Sequence, residues 1–140
     1  MKMRDAMRSI LFAAAIGAVT LVAGFPSAGG DEAPWEAPAR AARKKNPVPA
    51  DDASAAAGKA VFTKECLQCH GAAGKGDGPA AKDLKVKPRN LGDDAVARQS
   101  DGALFWKLTE GRAPMPSYDK TLSETERWQV INYVRTLAKP

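Results

Sequence analysis

The pentapeptide Cys66-Leu67-Gln68-Cys69-His70 restricts this chain more tightly than its size does. On a helix its two thiols stand about one turn apart on the same side, with an imidazole directly after them. These are the only two cysteines and the only histidine in 140 residues. Chemistry that needs two histidines is therefore excluded, and any histidine-based triad must use His70. The rest of the composition, 44% hydrophobic and 26% charged, fits one ordinary domain rather than a disordered or polytopic membrane chain. A formal charge of +5 is basic without demanding nucleic acid as a partner.

Four chemistries compete for the pentapeptide. A C-x-x-C-H string is the attachment signal for c-type haem. Each thiol bonds one former vinyl group of the same porphyrin, and the histidine lies under the iron. A zinc site needs more ligands than Cys66, Cys69 and His70, and the rest of the chain offers no further Cys or His. A thioredoxin-like dithiol should open a helix, whose N-terminus lowers the thiol pKa, whereas here a helical pattern precedes the motif. A disulfide between Cys66 and Cys69 suits an exported chain but closes a very short loop and leaves His70 unexplained. Haem attachment is the expected reading.

A low-spin electron-transfer haem needs a sixth ligand, and a second histidine is ruled out by count. Met1, Met3 and Met7 fall in the N-terminal segment described next, so Met115 is the only methionine left downstream. Its thioether is the expected partner, and such a ligand raises the reduction potential relative to a second imidazole. Pro114 and Pro116 on either side restrict the backbone and would hold the sulfur at a fixed place.

The chain divides into three stretches. In residues 1–30, Lys2, Arg4 and Arg8 precede an apolar run from Ile10 to Phe25, and small residues follow. This is the layout of an export signal. The run is short of the roughly 20 apolar residues that span a bilayer, although an uncleaved anchor over residues 10–25 is the alternative. Residues 31–53 hold Pro34, Pro38, Pro47 and Pro49 among Ala and charges, including the basic cluster Arg40, Arg43, Lys44 and Lys45. They read as a semi-extended linker, in which Trp35 has no evident role. Residues 54–140 form the domain, with 14 Lys and Arg against 10 Asp and Glu.

Helical signals frame that domain. Residues 55–68 are rich in helix formers, with Val61, Phe62 and Leu67 apolar. Ser123 and Glu126 form a capping box ahead of Trp128, Ile131, Val134 and Leu137, which repeat at helical spacing. A third helix is expected over residues 102–110, capped by Ser100 or Asp101 and stopped by Gly111. Residues 71–94, rich in Gly, Pro and Lys, read as a long loop with something to wrap around. No convincing alternating strand occurs.

With these features in place, the sequence resembles the class I c-type cytochromes over nearly all of residues 54–140. Gly58 and Phe62 lie eight and four residues before Cys66, as the family's Gly and aromatic do where the terminal helices cross. Val130 and Tyr133 look like the opposing pair. Gly74-Lys75-Gly76-Asp77-Gly78-Pro79, with Leu84, Lys87-Pro88 and Leu91, is similar to small bacterial cytochromes often met in respiratory complexes. The resemblance implies an all-α fold of three to four helices wrapped around one covalently bound haem c. It implies Cys66 and Cys69 as thioether attachments and His70 and Met115 as axial ligands. It also implies that a proline carbonyl accepts the proton of the ligating imidazole, with Pro79 the first choice and Pro88 the second. Trp106 or Arg89 would donate a hydrogen bond to a haem propionate.

The expected function is periplasmic one-electron transfer between redox partner proteins, with no catalytic acid, base or nucleophile in evidence. The alternatives are a fixed subunit of a membrane-bound respiratory oxidoreductase complex, or a haem peroxidase or gas sensor.

Overall fold

The computed structural model describes residues 34–138. The export segment and candidate anchor of residues 1–30 therefore lie outside the described residues. Among the described residues no helix is long and apolar enough to cross a membrane.

Two helices of equal length carry the architecture. Helix α2 (Asp52–Glu65) starts where the Asp51 side chain accepts from the Ser54 backbone N–H and the Ser54 side chain answers, closing a capping box. Helix α6 (Glu124–Leu137) starts on the box expected from the sequence, Ser123 with Glu126. Among the described residues the two make the largest helix–helix contact. At their crossing Gly58 lies against α6, where a Cβ would collide with the Gln129 carbonyl and crowd Tyr133. Only glycine lets the two backbones come so close. One turn on, the Phe62 and Tyr133 rings meet at 5.1 Å between centroids, tilted by 59°. The expected partner Val130 is buried instead on the other side of α6, in the main core. The backbone of Gln129 takes its place at the crossing.

That main core joins Val130, Ile131, Trp128 and Val134 of α6 to Phe105 and Leu108 of a further helix. A short α1 (Ala39–Ala42) precedes α2, and between α2 and α6 come α3 (Leu67–His70), a 3-10 turn (Ala81–Asp83) and α4 (Asp94–Ala97), followed by α5 (Asp101–Glu110). Ser100 caps α5 through the Ala103 N–H, and Gly111 ends it at φ 67°. Phe105 stacks on Trp128 at 4.0 Å. Among the described residues there is no β-strand, only an isolated bridge between Arg112 and Met115. The all-α expectation holds.

Residues 34–50, expected as part of a free tether, form an arm bound to the domain. Asn46 donates to Asn132 Oδ1 at 2.8 Å, and the Asn132 amide donates in turn to the Pro49 carbonyl and to Ser54 Oγ, each at 2.9 Å. Lys44 pairs with Glu124 at 2.7 Å and lies 4.3 Å from the centre of the Phe105 ring. Ser100 Oγ donates to the Ala42 carbonyl at 2.6 Å, and Val48 packs against the core. None of these hydrogen bonds shows in a local hydrophobic period, because they are polar and join residues far apart in the chain.

Asn46→Ala should cost about 1–3 kcal/mol, because it strips the half-buried arm junction of a hydrogen bond and leaves Asn132 Oδ1 without its donor. A free tether would tolerate the change with no fall in melting temperature by circular dichroism. A second expectation concerns alkaline stability. Tyr118 is buried and donates to the Glu65 carbonyl at 3.0 Å. Burial first, then the charges of Cys66, Glu65 and Cys69, push its phenol up to about 12 from 10.0. The folded value is the raised one, so this contribution is complete below about pH 10 and is lost as pH rises through about 12. Melting temperature should therefore fall more steeply above pH 10 in the parent protein than in Tyr118→Phe, and equal slopes would refute the assignment.

Candidate functional site

The helix carrying the pentapeptide breaks once before completing it. Cys66, at φ −114°, ends α2 and begins α3, with its N–H still bonded to the Phe62 carbonyl at 2.9 Å. The Cys69 and His70 N–H groups then both return to the Cys66 carbonyl, at 3.2 and 2.9 Å. This single turn sets the two thiols and the imidazole on one short rigid element. Neither cysteine is in a disulfide. Cys66 is buried, and its thiol is pushed up to about 12 from 9.0 by burial, with smaller contributions from Glu65 and Cys69. A redox dithiol needs the opposite shift. Among the described residues no group of three His, Cys, Asp or Glu side chains is placed to hold a metal ion. The disulfide, dithiol and zinc alternatives thus find no support in the geometry.

The long loop closes beneath α3. The N–H groups of Gly76, Gly78 and Ala80 bond the carbonyls of His70, Cys69 and Gln68, at 2.8, 3.2 and 2.8 Å, and so cap the end of the helix. The Leu91 N–H then bonds the Gly74 carbonyl at 2.7 Å, which brings the returning chain back past His70. As a result His70 Nδ1 lies 3.1 Å from the Arg89 carbonyl oxygen. A carbonyl can only accept, so Nδ1 carries the proton and Nε2 keeps its lone pair. Burial lowers the His70 pKa, with the Arg89 bond opposing it, and so favours the neutral ring that binds a metal.

This corrects the expectation placed on Pro79. Pro79 is exposed on the turn that caps α3, and the acceptor comes from the returning segment, one residue beyond the second choice, Pro88. Gly76 makes the approach feasible. It sits at φ 78°, and a Cβ there would collide with the Pro88 carbonyl.

Met115 comes from a different part of the fold. Its N–H and carbonyl pair with the carbonyl and N–H of Arg112, at 2.9 and 3.0 Å, in a tight turn containing Pro114. The Tyr118 N–H bonds the Leu108 carbonyl at 2.9 Å, which ties the far side of this loop to α5. Met115 is half-buried and packs against the main core. Phe105, Leu108 and Trp128 belong to that core, with Leu91 and Leu104 packed on it. Sequence reasoning missed the Arg89 carbonyl and the arm with Trp35. A carbonyl acceptor carries no residue-type signature, and the prolines and charges of the arm were read as a free tether.

Two unpaired thiols on one turn beside an imidazole with Nδ1 occupied and Nε2 open fit covalent haem, and with the all-helical fold they define a c-type cytochrome. The family described as cytochrome c oxidase, cbb3-type, subunit III matches residues 53–134, and the chain belongs to it. Family membership implies one covalently bound haem c and haem-based electron transfer. Among curated relatives, a cytochrome c6 of Rippkaea orientalis is 36% identical over 91 residues, 65% of this chain and 78% of its own length. A cytochrome c6 of Alaria esculenta is 29% identical over 79 residues, 56% of this chain and 86% of its own. Among solved structures, a chain of the reducing HAO-like protein complex of Kuenenia stuttgartiensis aligns at TM-score 0.59 and 30% identity. That alignment covers 66% of this chain and only about half, 47%, of the other. A further c-type cytochrome, at TM-score 0.52 and 23% identity, covers 59% of this chain and 98% of its own, and shares the fold.

Gly76→Ala should displace the Pro88–Arg89 peptide and lengthen the bond to His70 Nδ1. A weaker acceptor makes the imidazole a poorer donor, which favours the reduced iron. The reduction potential of the haem-loaded protein should rise, and an unchanged potential would show that the Arg89 carbonyl does not govern the ring.

Proposed function

We propose that the chain is a periplasmic one-electron carrier in which Cys66 and Cys69 hold the haem as thioethers and His70 Nε2 and the Met115 thioether are the axial ligands. The observation that carries this reading is the His70–Arg89 bond, which fixes the tautomer and leaves Nε2 as the free donor. The single available methionine supports the sixth position, on a turn tied to the core through Arg112 and Tyr118. When bound, the haem supplies the Fe(III)/Fe(II) couple. The chain's part is to orient the imidazole, to keep its Nδ1–H donating to the Arg89 carbonyl and to shield the Met115 side with the Phe105–Trp128 core. Such a packed frame suits electron transfer, which needs little movement of the ligands. The exposed lysines Lys59, Lys64, Lys75, Lys82, Lys85 and Lys87 surround the haem-bearing half and would steer acidic redox partners.

A second reading, a fixed cytochrome subunit of a membrane-bound respiratory oxidoreductase, is favoured by the description of the family and by the complex that supplies the solved relative. Co-purification with other subunits would support it.

The test is the ferric spectrum of the purified chain beside that of Met115→Ala. The parent should be low-spin, with the sulfur-to-iron charge-transfer band in the red. The variant should lose that band, become high-spin and fall in potential. A high-spin parent would overturn the carrier reading in favour of a peroxidase or gas sensor, and an unchanged variant would move the sixth ligand elsewhere.

A further inference from the structure

Three cations gather beside the segments that carry the two proposed ligands. Arg89 supplies the carbonyl that holds His70, and Arg112 pairs its backbone with Met115. Lys107, on α5, feels the charge of both arginines. Burial first, then Arg112 and Arg89, lower its pKa, with Glu36 of the arm as the opposing acid. Its ammonium donates to the neutral Gln99 side chain, at 2.5 Å.

The residue that faces this group is Trp35. It lies on the arm, outside the stretch matched by the family, and had no role in the sequence reading. The Lys107 ammonium lies 5.4 Å and the Arg112 guanidinium 5.2 Å from the centre of its ring, within cation–π range for both. The ring also meets Trp106 at 6.5 Å between centroids. The arm that brings it there is fastened at Ala42, Lys44 and Asn46. One half-buried aromatic ring therefore sits against two like charges that repel each other.

We propose that Trp35 is a positioning residue for electron transfer, holding the Lys107 and Arg112 cations next to the Met115 turn and thereby raising the reduction potential of the haem. The proposal rests on the electron-transfer reading above. Fixed positive charge near the iron opposes its oxidation, since Fe(III) carries one more positive charge than Fe(II), and a cation free to swing into water is screened. The long Lys and Arg side chains have several rotamers. Without the ring the Lys107 ammonium would keep its bond to Gln99 but lose its aromatic face, and would spend more of its time in solvent.

The experiment is the reduction potential of the full haem-loaded chain by spectroelectrochemistry, with thermal melting in parallel. Trp35→Leu should shift the potential negative, and Trp35→Phe, which keeps a weaker aromatic face, should recover part of the shift. Lys107→Gln should also shift it negative. In the Lys107→Gln background the Trp35→Leu shift should shrink, because part of it runs through that lysine. A lower melting temperature with an unchanged potential in Trp35→Leu would make the ring a structural contact only and overturn the proposal. A fully additive double variant would overturn it too, since the ring would then act by excluding water. Chain purified without covalent haem would overturn the electron-transfer reading along with it, whereas a loaded chain whose potential ignores Trp35 overturns this proposal alone.

Discussion

The close crossing of α2 on α6 is the constraint on which the remainder of the structure hangs. Gly58 removes the side chain that would hold the helices apart, and Phe62 and Tyr133 fill the space one turn further on. Because α2 is fixed there, its C-terminal end at Cys66 is fixed as well, and so is the short α3 that carries Cys69 and His70. The opposite side of α6 does a second job. Trp128 stacks on Phe105, which sets α5, and α5 in turn anchors the loop that carries Met115. Tyr118 joins the two halves directly through its bond to the Glu65 carbonyl, next to the first thiol.

The electrostatics of the site follow from this burial. The Cys66 thiol is kept neutral, and the His70 ring is kept neutral with its proton on the side of a carbonyl. Neither group is tuned for acid–base or nucleophilic work, which agrees with a family whose chemistry belongs to its cofactor. The surrounding chain sets geometry and field. Its loop turns back through glycine positions that allow the Pro88–Arg89 backbone to reach the imidazole.

The arm enlarges the domain beyond the stretch shared with the family. Its fastenings at Lys44 and Asn46 bear on α6 itself, at Glu124 and Asn132, and Val48 adds to the same core as Trp128. A segment rich in proline and small residues can be ordered without a helix or strand of any length. Its polar groups need only find partners on an existing surface, and proline lowers the entropy lost on docking. Here the partners are side chains and carbonyls of α6, α2 and the start of α5.

By itself the sequence determined the attachment motif, the helix cap at Ser123, a cap at Ser100 or Asp101, the stop at Gly111, and by count the one histidine and one downstream methionine. These depend on residue identity or on neighbours three or four positions away, which a linear reading can see. Gly58 and Phe62 were legible through the resemblance to the class I c-type cytochromes, whose Gly and aromatic stand at the same distances before the haem motif. Tertiary structure alone decided that Arg89, rather than Pro79, holds the imidazole, that Gln129 rather than Val130 meets Gly58, and that residues 34–50 dock. Every non-proline residue carries the same backbone carbonyl, so the chain path chooses the acceptor. The arm's hydrogen bonds to α6 and to the start of α5 likewise join residues 58 to 86 positions apart, where no local pattern foretells which surfaces will meet.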